Sequence, residues 1–207
     1  MTDLSSLGFE PNVWYETIVT TYNDDHRPNA AAMGCITFNQ QHLVLRPFKN
    51  TATYSNIMRR RRAAVNITHD PELFYRAVFK KEMLFTAGEF ADVPVLKECD
   101  AAIEVIIDDV KSFDEQRAEI VMSPTHIHKY ATRIHPYSRV ESALIESLIH
   151  YTRVAVFLHT ERHGEALNLI EKIRENIQLV RRLSKKPMHL QICEEIINSV
   201  KQSVKNP

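Results

Sequence analysis

From Trp14 to Tyr22 the chain reads Trp-Tyr-Glu-Thr-Ile-Val-Thr-Thr-Tyr, almost entirely β-branched or aromatic. Such residues fit a pleated, half-buried surface and predict a strand. Asn23-Asp24-Asp25-His26-Arg27-Pro28 follows, a cluster of turn formers, and a second strand is expected over about 29–38. Its first part, Ala30-Ala31-Ala32-Met33-Gly34, has unusually small side chains for a strand. After Asn39-Gln40-Gln41, a third strand, His42-Leu43-Val44-Leu45-Arg46-Pro47, completes a meander. Three consecutive strands with short connections point to an antiparallel sheet or barrel.

Asn50-Thr51 then offers a helix N-cap before residues 52–59, and basic residues at the far end suit the negative end of the helix dipole. Ala63-Ala64-Val65-Asn66-Ile67-Thr68 predicts a short strand. Asp70-Pro71-Glu72 is a helix start with proline at the first helical position. Two further strands are expected over roughly 101–110 and 117–122, while residues 80–100 carry no readable pattern.

Beyond His135-Pro136 the periodicity becomes helical. Ser138 and Glu141 have capping-box spacing. Val140, Leu144, Leu148 and Ala155 share one helical face; Ala166, Ile170, Ile173, Ile177 and Val180 share another. Cys193, Ile196, Ile197, Val200 and Val204 form a third after Pro187. The expectation is an α+β chain: an antiparallel barrel over 1–136 followed by a three-helix C-terminal region over 137–207.

Charge and composition narrow the function classes. Lysine plus arginine equals aspartate plus glutamate, 26 against 26, so no global field draws the chain to nucleic acid or an anionic membrane. The basic run Arg59-Arg60-Arg61-Arg62 reads either as a solvated helix end or as a local phosphate patch. No apolar stretch reaches the length of a membrane span, and Met1-Thr2-Asp3-Leu4-Ser5 lacks the features of a signal peptide. Cys35, Cys99 and Cys193 have no paired spacing, which fits small buried hydrophobes in a reducing cytoplasm. With only four glycines, the chain has neither a dinucleotide fingerprint nor a P-loop.

Candidate chemistry concentrates where the third strand meets the following helix, in Arg46-Pro47-Phe48-Lys49-Asn50-Thr51-Ala52-Thr53-Tyr54. Two cations, two hydroxyls and the free amides of a helix N-terminus suit a phosphate; an ordinary loop with a good cap is the alternative. The small-residue strand admits the edge of a flat ring, Gly34 permitting close backbone approach, although tight barrel packing explains it equally well.

Glu16-Thr17-Ile18-Val19-Thr20, Asn29-Ala30-Ala31-Ala32-Met33-Gly34, the Arg46 to Tyr54 stretch and Ala64-Val65-Asn66-Ile67-Thr68-His69-Asp70 occur in that order. Together they resemble an uncharacterised family of FMN-binding split-barrel proteins, related in fold to flavin reductases and pyridoxamine-phosphate oxidases. The resemblance covers about residues 10–135, and the helical tail is similar to that family's C-terminal domain. It implies FMN as cofactor and a homodimer with FMN at or near the subunit interface. Arg46, Lys49, Thr51 and Thr53 would hold the phosphate, with Tyr54 lining the same pocket. Ala32, Met33 and Gly34 would face the isoalloxazine, and Asn66 the ring or ribityl chain. Flavin reductases commonly carry a small polar residue where Ala30-Ala31-Ala32 stand here.

The implied activity is that of a cytoplasmic oxidoreductase of unknown small-molecule substrate, with no catalytic side chain assigned. The alternatives are a non-enzymatic FMN-binding sensor, carrier or assembly module, or a split-barrel dimer binding another phosphorylated ligand. His126 and His128 share a face if their segment is a strand, and His135 follows. Such a set could ligate zinc, but no cysteine or clear acidic third ligand accompanies it in sequence. No metal is therefore assigned, and His126, His128 or Lys129 is read as bordering the flavin pocket from the partner subunit, or as interface polarity. The tail histidines His150, His159, His163 and His189 are expected to be exposed or locally hydrogen-bonded.

Overall fold

A computed structural model describes residues 4–9, 11, 14–130, 139–184 and 186–205. Among the described residues, eight strands and five helices follow a short 3-10 turn at Leu4–Leu7. The strands are β1 (Trp14–Tyr22), β2 (Pro28–Ile36), β3 (Leu43–Leu45), β4 (Arg62–Ile67), β5 (Phe85–Ala87), β6 (Pro94–Leu96), β7 (Ala101–Ser112) and β8 (Ala118–Lys129). The helices are α1 (Ala52–Arg60), α2 (Pro71–Val78), α3 (Arg139–Phe157), α4 (His163–Leu183) and α5 (Pro187–Lys205). Six strands close an antiparallel barrel in the order β1-β2-β3-β8-β7-β4, and β5 pairs with β6 separately. The expected architecture, an antiparallel barrel followed by three helices, is the one observed.

Alternation decides what fills the barrel. Val19, Cys35, Leu43, Leu45, Val65, Ile103, Val105, Ile120 and Met122 point inward to one buried cluster, and Met33, Tyr54 and Ile127 pack against it. One end carries a buried polar network instead. There the Asn29 amide donates to Thr21 Oγ1 (3.3 Å) and Thr53 Oγ1 (3.0 Å), and the Asn56 amide to Thr21 Oγ1 (3.0 Å) and Asn23 Oδ1 (2.9 Å). These pairings satisfy polar groups that burial would otherwise penalise.

The capping signals read from sequence operate locally. Thr51 is the N-cap of α1, accepting from the Tyr54 N–H, and Asp70 caps α2 by accepting from the Glu72 N–H. β8 runs past Met122, where the sequence pattern suggested an end. Pro124 cannot donate to the ladder, and the strand accommodates it with a bulge: Val105 pairs with Pro124 but Glu104 pairs with His126.

The chain divides into two compact units, 1–69 with 80–133 and 70–79 with 134–207. α2 is thus grouped with the C-terminal helices, a departure from a single break near residue 136. Within that second unit the rings of Phe79 and Tyr151 stack at 5.3 Å, and the Tyr75 hydroxyl donates to Glu195. Val140, Leu144 and Leu148 are buried on α3, as are Ala166, Ile170, Ile173, Ile177 and Val180 on α4. On α5 Cys193, Ile196 and Val200 are buried, whereas Val204 is exposed. His189 is buried against Ser184, and His150 Nδ1 is a buried atom with no hydrogen-bond partner. Ser138, half of the capping-box pair, lies outside the described residues, as does His135. All three cysteines are free and buried, and burial pushes the Cys35 and Cys99 thiols up to about 12. Among the described residues no helix is long and apolar enough to cross a membrane.

Candidate functional site

β1 and β2 pair so that Glu16 stands opposite Gly34 and Ile18 opposite Ala32. Because Met33 and Cys35 face the core, Ala32 and Gly34 face outward. The Trp14 ring lies along this outer surface: a Cβ at Gly34 would stand 3.3 Å from Trp14 Cε3, so the missing side chain is what lets the indole approach. Arg46 follows β3, which pairs with β2 at Cys35 and Ile36. Its guanidinium sits 5.3 Å from the Trp14 ring centroid and 4.0 Å from that of Phe113. Nε and Nη2 both donate to Glu119 Oε2, at 2.9 and 2.8 Å. Arg46 and Gly34 therefore share one corner, through an indole that the sequence reading did not single out.

Lys49 lies along the β7–β8 turn, with Nζ donating to Ser112 Oγ (2.9 Å) and to the carbonyls of Asp114 (2.9 Å) and Glu115 (3.2 Å). Thr51 spends its hydroxyl proton on the Phe48 carbonyl (2.7 Å) while capping α1. Thr53 and Asn66 are not gathered into this corner. Thr53 is buried in the Asn29 network, and Asn66 is fully buried on β4. The Asn66 amide donates to the Ile18 carbonyl (2.8 Å) and Thr20 Oγ1 (3.0 Å), and its oxygen accepts from the Leu96 N–H (3.0 Å). Asn66 thus ties β6 to the barrel wall. Lys80, another cation not singled out in sequence, holds the opposite end of β2, donating to the Ala30 carbonyl at 2.6 Å.

A second polar cluster occupies the outer face of β7 and β8. Glu104 is fully buried, and its carboxylate accepts from the N–H groups of Glu89 (2.6 Å), Phe90 (3.0 Å) and Ala91 (2.5 Å). His128 Nε2 stands 2.7 Å from Glu104 Oε1. Burial opposes ionisation of Glu104, yet these donors outweigh it and hold its carboxyl below the ordinary range. His126 and His128 lie on one face of β8, as their spacing predicted, with ring centroids 4.6 Å apart. Glu89 and Glu104 supply the acidic neighbours that the linear sequence hid.

The family model described as "Protein of unknown function (DUF447) N-terminal domain" matches residues 15–131. An uncharacterized protein of Methanocaldococcus jannaschii is 24% identical over 192 residues, spanning 89% of this chain and 97% of that protein. The crystal structure of an FMN-bound protein from Methanosarcina mazei, assigned to DUF447, superposes with a TM-score of 0.75. Its identity is 24%, and the match covers 97% of this chain and 100% of that one.

Proposed function

This chain belongs to the DUF447 family, and we propose that it is an FMN-binding flavoprotein working as a cytoplasmic homodimer. The observation that carries the reading is the full-length likeness to the FMN-bound Methanosarcina mazei protein. The residues at the Arg46 corner fit such a ligand. Arg46 is a bidentate donor whose present partner is a single carboxylate oxygen, and a phosphate can take that place. Lys49 and Thr51 stand at the N-terminus of α1, where backbone amides favour an anion.

Ala32 and Gly34 keep the outer face of β2 low, and the Trp14 indole over Gly34 shares that face with the isoalloxazine, with Met33 contributing backbone and Tyr54 steadying the wall from the core side. Thr53 and Asn66 act as positioning residues, fixing α1 and β4 rather than touching the ligand. Trp14 and Phe113 are exposed large hydrophobics flanking Arg46, a surface that a second copy would cover together with the flavin. Bound FMN would supply the electron transfer of an oxidoreductase, while the chain orients the ring and limits solvent access.

The test is the visible absorption spectrum of the full-length protein after adding FMN and desalting. Flavin bands should travel with the protein at a stoichiometry near one per chain. Riboflavin, which lacks the phosphate, should bind at least about tenfold more weakly. A folded protein that retains no FMN overturns the reading, and equal affinity for riboflavin overturns the phosphate site.

A further inference from the structure

The outer face of β7 and β8 carries a cluster that the flavin reading does not use. His126 Nε2 lies 3.6 Å from Glu89 Oε2, and His128 Nδ1 lies 3.8 Å from Glu89 Oε1. One ligand atom from each of the three residues falls within 4.8 Å of the others. We propose that Glu89, His126 and His128 bind a divalent first-row transition-metal ion, with zinc as the reference ion. Two imidazoles and a carboxylate are a ligand set that such ions take, with bonds of about 2.0–2.2 Å. Tetrahedral ligand atoms at those bond lengths stand roughly 3.3–3.5 Å apart. Two of the observed separations are therefore within a few tenths of an ångström of ligating geometry.

Glu104 is what distinguishes this cluster from a chance surface grouping. A metal-bound histidine commonly donates its other ring N–H to a carboxylate, which fixes the tautomer and raises ligand basicity. His128 has that arrangement: with the proton on Nε2 and donated to Glu104, Nδ1 keeps its lone pair and lies 3.8 Å from Glu89 Oε1. The same carboxylate accepts the N–H groups of Glu89, Phe90 and Ala91, so one buried group orients the ligand histidine and the loop bearing the ligand carboxylate. Gly88 makes this approach possible, since a Cβ there would lie 2.9 Å from the Glu104 carboxyl. Phe90 stacks on His126 with centroids 4.4 Å apart, restraining the third ligand. The Glu89 side chain is 63% exposed and that of His128 9%, so the ion would enter from solvent on the Glu89 side. Three protein ligands leave a coordination position open to water or substrate.

The experiment is titration of the full-length, chelator-stripped protein with Co2+, read by visible d–d absorption, followed by displacement with Zn2+. Saturation at one equivalent per chain is expected. Glu89→Gln and His126→Ala should each weaken cobalt binding at least tenfold, and Glu104→Gln about 10–100-fold by releasing His128. Glu89 is exposed, so Glu89→Gln keeps the fold, which circular dichroism verifies. Zn2+ should raise the thermal midpoint of the wild type more than that of Glu89→Gln. Cobalt binding that survives unchanged in Glu89→Gln and His126→Ala, or no binding at millimolar cobalt, overturns the proposal.

Discussion

The Arg46 corner and the Glu104 corner each hold an ionised side chain against the outside of one barrel, but on opposite terms. Arg46 is partly open, 25% exposed, and its charge is met by one similarly exposed carboxylate and two aromatic faces. Each of those partners can be exchanged at modest cost, because an ion pair open to solvent on one side contributes little. Glu104 is 0% exposed, and three backbone N–H groups and an imidazole converge on it. Nothing there can be exchanged without orphaning the buried Ala91 N–H or leaving the buried carboxylate short of partners. An exchangeable corner suits a ligand that replaces an internal partner; a fully satisfied one suits holding neighbouring groups in fixed geometry.

The sharpest way to break this contrast is Glu104→Ala. It strands three N–H donors and the His128 N–H, so unfolding by urea should show a loss of about 3–5 kcal/mol. A loss under about 1 kcal/mol would mean that the loop and histidine do not depend on this carboxylate. The wild-type contribution also has a direction in pH. The folded carboxyl titrates below its ordinary value, so its stabilisation is complete above the unfolded pKa and fades as pH falls through the folded one. Glu104→Ala should flatten that part of the acid dependence.

Next in size is Arg46→Ala, which removes a charge-assisted contact worth about 1.5–3 kcal/mol, or roughly ten- to a hundredfold in FMN affinity. Fluorescence titration of the folded variant measures it. Because Arg46 is partly open, the same change should cost far less in urea than Glu104→Ala does. Unchanged FMN affinity would move the phosphate elsewhere.

The two corners also differ in how readable they were. Arg46, Lys49 and Thr51 fall within one short stretch, and Thr51 announces itself as a cap because N-capping is a local hydrogen bond. Strand β1 was likewise legible from its β-branched and aromatic run, and the inward set of α4 from helical spacing, because that periodicity reports burial directly. Trp14 joined the site only through the register that sets it over Gly34. The segment from Lys80 to Asp100 showed no pattern because its order is imposed from outside: Glu104 anchors 89–91, and Asn66 receives Leu96. Glu89 could not be paired with His126 and His128 for the same reason. The grouping of α2 with the C-terminal helices rests on contacts such as Phe79 with Tyr151, which no local signal carries.

Gly88→Ala tests the anchored loop with a single methyl group. The added Cβ would stand 2.6 Å from the Ala91 carbonyl oxygen and 2.9 Å from the Glu104 carboxyl, so backbone must move. Overpacking of this kind typically costs about 1–3 kcal/mol, and the thermal midpoint should fall by several degrees. A glycine substitution that left stability untouched would show the loop to be freely displaceable, and the two corners would then be alike.

The smallest effect carries the opposite sign. Glu119 accepts both donated N–H groups of Arg46, so an incoming phosphate must displace it. Glu119→Gln keeps the shape of the side chain but removes its charge, lowering the cost of that exchange and the repulsion of a nearby dianion. FMN affinity should rise by about 0.2–1 kcal/mol, up to a few-fold, and the gain should shrink as salt screens the charge it removes. Weaker binding in Glu119→Gln would mean that Glu119 positions Arg46 for the ligand rather than competing with it. The Arg46 corner would then be preorganised, as the Glu104 corner is, and the distinction between exchangeable and fixed partners would fail at its own centre.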